Sequence, residues 1–337
     1  MTGLKAIAAA AALLAAAPAA AQTELIYNSY LPPFNETFQV GIRDFARRIE
    51  EESGGTIKVT IPDASLAPSD RQYEMVLDGI ADMALLNISS VSQFVTLNRI
   101  GELPGHAPTA EAGSVALWET YQRYFAPLHQ FEGVVVLSTH VLPGRQILSV
   151  GSRAPKRAED LQGAKIWATS RPLIAAAEDL GGVPMVIQFG ELQEFVSKGN
   201  LDLLFISAAS AEAAGVLQDV THVTKVPGGL GTISFVIIIS EQRWNELTEE
   251  QQAAILRAAE DLPRRLGQAN DASEAEVADA VARIPTTELD PETRGGLGPI
   301  LDRQIDAWKA EATTAGIENP DEVLAFYRSV LERETAD

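Results

Sequence analysis

Gly199-Asn-Leu-Asp-Leu-Leu-Phe-Ile-Ser-Ala-Ala-Ser210 repeats the plan of an earlier stretch, Gly79-Ile-Ala-Asp-Met-Ala-Leu-Leu-Asn-Ile-Ser-Ser90. In both, a helical pattern (Tyr73 to Asp78; Leu192 to Lys198) stops at a glycine, the residue suited to the left-handed position that closes a helix. Two residues, an Asp, four apolar residues and a small polar tail follow. Four consecutive apolar residues do not alternate, so each strand is expected to be covered on both faces, as in a parallel α/β sheet. Ligands of such sheets sit beyond the carboxyl ends of the strands. The two copies, about one small domain apart, point to two α/β lobes whose strand tails, Asn87 to Ser90 and Ser207 to Ser210, face each other across a cleft.

The rest of the chain fits this plan. At 337 residues it is long enough for two ordinary domains with full cores. With 46% hydrophobic and 21% charged residues it has the balance of a folded globular protein. A formal charge of -20 argues against nucleic acid as a partner, because the phosphate backbone would repel it. The same charge permits a small anionic ligand held by a local arginine. The absence of cysteine excludes disulfides, a thiol nucleophile and thiolate metal sites.

Residues 1–21 read as a secretory signal: Lys5, an apolar run to Ala17, and Ala19-Ala20-Ala21 ahead of Gln22. The mature chain is therefore expected in the periplasm. A β-α-β-α-β order spans 24–90. Gly133 to Thr139 reads as a strand leaving the first lobe, and Arg145 to Val150 as one opening the second. Gly228-Gly-Leu-Gly231 reads as a joint before the apolar strand Thr232 to Ile239, which returns to the first lobe. A long helical region follows from Glu241 to Arg283, with a kink expected at Pro263. On this reading 22–140 and 229–270 form lobe I, and 141–228 and 271–337 form lobe II. The fold class is α/β, a two-lobed binding-protein architecture with a multi-strand hinge and a long helix connecting the lobes.

Several short stretches, taken in order, resemble the extracytoplasmic solute-binding subunits of TRAP transporters (tripartite ATP-independent periplasmic transporters), the DctP type. Gly144-Arg145-Gln146 resembles the Gly-x-Arg that opens the second lobe, and Glu159 to Ile166 the "DLKGxKIR" signature. Phe189-Gly-Glu191 resembles the "FSEVY" helix start, and Gly199-Asn-Leu-Asp202 the "GxVDG" turn. Ile239 to Gln252 resembles the strand and helix that follow; Tyr30 to Pro33 and Ser53 to Gly55 also fit. The resemblance implies closure of two lobes around one small organic acid, and a membrane permease as partner. Three departures bear on the ligand. Trp167 stands where the family usually has the Arg that pairs with a ligand carboxylate. Leu204-Phe205-Ile206 replaces "QEN", and Gln193 replaces the Tyr of "FSEVY".

Arg145 is the leading anchor for a carboxylate, since a guanidinium offers a planar two-pronged fork; the alternative is a surface ion pair. Arg171, four residues beyond the missing Arg, is the second candidate, or an exposed helix-start cation. Trp167 either packs in the core or stacks on a ligand ring. Phe189, a ligand-contacting position by the resemblance, Phe205, Tyr30 and Phe34 extend that apolar surface. Asn87, Ser89, Ser207 and Ser210 offer hydrogen bonds, or simply cap the strand ends; Gln188 and His140 are further strand-end candidates. A dianion without two cationic partners would leave charge uncompensated, so the expected ligand is a monocarboxylate with an apolar or aromatic body. No cofactor is expected. A binding protein for an ABC or tripartite tricarboxylate transporter is the alternative. A secreted hydrolase is disfavoured, because the chain has no G-x-S-x-G, no H-E-x-x-H and only four scattered histidines.

Overall fold

The computed structural model describes residues 22–93, 95–289 and 296–336; the signal-peptide reading lies outside them. Among the described residues the strands are β1 (Thr23–Asn28), β2 (Ile57–Thr60), β3 (Met83–Asn87), β4 (Val134–Val141), β5 (Gln146–Ser149), β6 (Lys165–Trp167), β7 (Val183–Met185), β8 (Leu203–Ile206), β9 (His222–Lys225), β10 (Ser234–Ser240) and β11 (Thr286–Glu288). They form two sheets, ordered β2-β1-β3-β10-β4 and β11-β9-β5-β8-β6-β7. Each sheet carries a parallel βαβ part, β1/β2/β3 and β6/β7/β8, and takes in strands from the lobe crossings with antiparallel pairing. β10 is the central partner of both β3 and β4, as its uninterrupted apolar run requires.

The repeated stretch builds the same device in each lobe. Gly79 and Gly199 both take a left-handed φ, 70° and 68°. The helix-closing bonds also match: Ile80 N to Met75 O and Asn200 N to Phe195 O are both 3.0 Å. The aspartate that follows reaches across to the neighbouring parallel strand. Asp82 Oδ2 accepts from Ile26 N at 2.6 Å, and Asp202 Oδ2 accepts from Lys165 N at 2.8 Å. Each carboxylate thus satisfies a backbone donor that the start of the ladder leaves free. The four apolar residues then run through the sheet interior, Leu203 to Ile206 being fully buried.

Two extended segments cross between the lobes as a paired ribbon. Leu142 N donates to Ile233 O (3.0 Å), Arg145 N to Gly231 O (2.8 Å) and Leu230 N to Arg145 O (2.9 Å). Gly231, at φ 114°, lies so close to the first lobe that a Cβ there would stand 2.4 Å from Glu102 O; only glycine fits both conditions. The helix Leu262–Val281 makes a third connection. Asp271 accepts from Ala110 N (2.8 Å) and Glu111 N (2.9 Å) at the start of helix Ala110–Thr120, and Glu274 accepts from Ala209 N (2.9 Å) at the start of Ala208–Ala213. One helix therefore caps one helix on each side of the hinge.

Two details differ from the sequence reading. The region 241–283 is three helices, Glu241–Glu246, Glu249–Ala259 and Leu262–Val281. Pro263 does not kink a helix but sits in the first turn of the third, where its missing N–H costs nothing. The C-terminal segment is not confined to lobe II. Leu297 and Leu301 join the core behind the second sheet, but Trp308 and Tyr327 are buried with Leu97 and Leu117 beside the first. Trp308 Nε1 donates to Leu97 O (3.1 Å) and Tyr327 Oη to His106 O (2.8 Å), so the last helix, Pro320–Thr335, is fastened to lobe I.

Candidate ligand-binding cleft

The sequence candidates lie near the carboxyl ends of the parallel strands, at the hinge ribbon, in the core and on the surface. Strand register arranges them. Gln146 pairs with Ile206, which sets Arg145 opposite Ser207 at the edge of the second sheet. On the first sheet Phe235 pairs with Asn87 on one side and His140 on the other. A register shift at Ile237/Ile238 interrupts the β4–β10 ladder just before this point. Such a bulge re-aims the side chains that follow it.

Arg145 is 2% exposed, and its Nε and Nη1 meet no hydrogen-bond partner among the described residues. Burial pulls its guanidinium down to about 10, partly offset by the negative charge of Glu274. A buried, unpaired cation is costly by several kcal/mol, and an entering anion relieves that cost. His140 is fully buried, stacked on Phe235 at 5.0 Å and 10° between ring planes. Burial holds it neutral, its pKa lowered to about 3. Neither of its ring nitrogens finds a partner among the described residues, nor do Ser89 Oγ, Ser138 Oγ and Thr139 Oγ1.

The remaining candidates divide into cap, core and surface. Asn87 Oδ1 accepts from Ser89 N (2.8 Å), and Ser207 Oγ accepts from Ser210 N (3.3 Å) and donates to Ser210 Oγ (3.0 Å). The strand tails therefore cap the turns that follow them while staying at the cleft edge. Trp167 is buried, with its indole N–H donating to Ile187 O at 3.0 Å, so its main role is core packing. Phe189 lies 6.4 Å from it and is partly exposed. Phe205 is fully buried in the cluster with Ile147 and Ile166, a core residue instead of a ligand surface. Tyr30 packs at the margin of the first core, where burial raises its phenol. Phe34, at 68% exposure, Arg171 and Gln188 are on the surface. Sequence reasoning missed Phe235, whose place in a long apolar run gave no sign that it faces His140. It also missed Glu102, a buried carboxylate that accepts from Ser234 N and Ser234 Oγ at the start of β10.

A separate cavity of about 600 Å³ lies between the hinge ribbon and the long helix, lined by Gly144, Gln146 and Ser207 on one side and Asp271 and Glu274 on the other. Lys225 lines the same cavity.

The family model for bacterial extracellular solute-binding protein, family 7 (DctP) matches residues 29–303. The chain belongs to the DctP family of TRAP solute-binding proteins. It is similar to the "Outer membrane transporter protein TsaT" of Comamonas testosteroni, 30% identical over 95% of this chain and 96% of that protein. Among solved structures it is similar to a TRAP periplasmic solute-binding protein of Bordetella bronchiseptica with bound (R)- and (S)-mandelate (TM-score 0.86, 22% identity, 93% of this chain and 99% of that one). A second is a TRAP solute-binding protein of Rhodoferax ferrireducens in complex with benzoate (TM-score 0.81, 19% identity, 93% and 99%). The two-lobed fold expected from the repeat is thus the fold of a DctP-family receptor. In this chain Arg145 is a buried cation at the lobe crossing, and Trp167 is the buried last residue of β6. Among the described residues no helix is long and apolar enough to cross a membrane.

Proposed function

We propose that this DctP-family protein captures, in the periplasm, a monocarboxylate with an apolar or aromatic body and delivers it to a TRAP membrane permease. Arg145 is the anchor of the carboxylate. The observation that carries the reading is its guanidinium, buried at the lobe junction with two nitrogens unpaired. One such cation neutralises one carboxylate. Trp167, buried in the core, brings no second cation to the cleft. The phenyl ring of Phe235 and the partly exposed Phe189 offer surface for an apolar ligand body. Mandelate and benzoate in the two structural neighbours belong to the same chemical class.

Capture follows from the architecture. The two ribbons and the long helix tie the lobes together, and a ligand touching both favours the closed form by the contacts it makes only there. Titration calorimetry with benzoate, mandelate, succinate and malate tests the proposal. The aromatic monoacids are expected to bind, and Arg145→Ala is expected to weaken them by about 2–5 kcal/mol, as for a desolvated charge pair. Binding of succinate or malate alone, or an Arg145→Ala protein with unchanged affinity, would overturn it.

A further inference from the structure

His140 stands apart from the other three histidines. His106 is equally enclosed, but its Nδ1 lies 2.8 Å from Pro104 O and its ring packs on Tyr327 at 5.3 Å. His222 Nε2 lies 3.0 Å from Thr287 Oγ1, and His129 is exposed. His140 alone is fully buried with both nitrogens unmatched among the described residues. A neutral imidazole carries one N–H donor and one bare acceptor nitrogen, and leaving both unmet in a buried place is costly. The ring cannot turn away to find partners. It lies parallel to Phe235, and the main chain on either side is held by pairing to β10 and by the Leu142–Ile233 bond. His140 and Arg145 close the two ends of the first lobe crossing, Val141 to Gly144. The register that pairs Phe235 with both Asn87 and His140 puts the imidazole at the carboxyl end of β3, the end at which a ligand of the first sheet would sit.

We infer that His140 is a specificity-determining residue that hydrogen-bonds a hydroxyl group on the ligand, so that the receptor selects hydroxylated aromatic monocarboxylates over their deoxy counterparts. A hydroxyl group matches either side of the imidazole, donating to the bare nitrogen or accepting from the N–H. Burial keeps the imidazole neutral, so the preference is for a hydroxyl and not for a second carboxylate. A deoxy ligand brings apolar surface against the ring and leaves both nitrogens unmet, the situation in which binding sites discriminate most strongly.

The inference rests on the proposed monocarboxylate cleft, and matched acid pairs separate the two. Mandelate against phenylacetate, and 3-hydroxybenzoate against benzoate, are titrated calorimetrically into the unaltered protein and into His140→Phe, which keeps a ring stacked on Phe235. In the unaltered protein the hydroxylated member of at least one pair is expected to bind about tenfold more tightly or better. In His140→Phe that ratio falls to about one, with the deoxy acid retained. A ratio equal in both proteins overturns the role of His140 and leaves the Arg145 cleft standing. Failure of all four acids to bind overturns the cleft and this inference with it. Should His140→Phe not fold, the ring-nitrogen NMR signals of ¹⁵N-histidine in the unaltered protein decide. They shift with the hydroxylated acid and not with its deoxy partner if the inference holds, and respond alike to both if it fails.

Discussion

Replacing Arg145 by Met separates the two consequences of burying a charge. Burial, the largest cause, pulls the guanidinium from its ordinary value down to about 10, which corresponds to about 3 kcal/mol set against the folded state. The sign follows from proton linkage. The unfolded chain binds the proton more tightly than the folded one, so the penalty is fully present below pH 10 and is relieved only as pH rises above it. Met keeps most of the apolar stem and discards the charge, at the cost of a small void and of the attraction to Glu274. The ligand-free Arg145→Met protein is therefore expected to be more stable by about 1–2 kcal/mol, seen as a rise of about 2–6 °C in Tm at pH 7. It should no longer bind carboxylates, and its Tm should no longer respond to benzoate or mandelate. The measurement is differential scanning calorimetry of both proteins with and without the acids. A Tm lowered by several degrees, with ligand response retained, would show that the guanidinium holds the hinge together, and the anchor argument would fall.

Other residues give sharper structural tests. Glu102 is wholly buried and its carboxyl is raised from 4.5 to about 7, burial outweighing the Ser234 N–H and hydroxyl bonds and the charge of Arg99. The folded state therefore holds this proton more tightly than the unfolded chain. Stability is lost as pH rises from about 4.5 to about 7, by about 3 kcal/mol at most. Glu102→Gln should remove that loss: urea melts of the two proteins coincide near pH 5 and favour Gln at pH 8, and a constant difference would refute the assignment. Gly267→Ala places a Cβ 2.3 Å from Glu111 Cα and 2.7 Å from Ala110 O. It should force the long helix off Ala110–Thr120 and cost about 3 kcal/mol or more; a loss below about 1 kcal/mol in the same melts would contradict the close packing. Trp167→Phe deletes the bond to Ile187 O and should cost about 1–3 kcal/mol of stability. Affinity should change less than about threefold, and a tenfold fall at unchanged Tm would mean that the indole stacks on the ligand.

The two-lobed plan was legible because helix–Gly–x–x–Asp–strand uses a local grammar. A left-handed glycine and a strand-capping aspartate act within a few residues, and both copies carry them out identically at Asp82 and Asp202. The place of Arg145 at the lobe crossing was legible for a related reason, since it follows a Pro-Gly turn where the chain must cross. What sequence alone did not carry was side-chain direction beyond one strand. Phe205 and Trp167 look like ligand surface beside a cleft, yet Phe205 is buried in the core with Ile147 and Leu297, and Trp167 in a separate cluster with Leu148 and Leu204. The terminal segment was given to lobe II because it follows the last crossing. Its allegiance is decided by Trp308 and Tyr327, which find carbonyl acceptors only on lobe I. His140 is read differently again: a single histidine in an apolar strand gives no sign of orphaned nitrogens until Phe235 and the bulge are placed beside it.

Two of the buried groups without partners among the described residues, His140 and Arg145, flank the first lobe crossing. An apolar core gains nothing from ligand, and a satisfied polar core gains little. In the proposed site Arg145 and His140, by contrast, carry buried nitrogens without partners among the described residues, a cost in free energy that an acid would relieve. A ligand shifts the balance between open and closed forms only by its differential affinity for them. A shift from one per cent to ninety-nine per cent closed requires about 5.5 kcal/mol of preference. One charge-assisted pair to Arg145 and one hydrogen bond to His140, each replacing an unpaired buried group, supply a preference of that order. An acid that meets only one of them closes the lobes less completely. Discrimination among ligands is then read out as the fraction of receptor in the closed shape, and small-angle scattering with each acid of a matched pair measures it. Profiles that are identical for tight and weak binders at saturation would break this link between hydrogen bonding and closure.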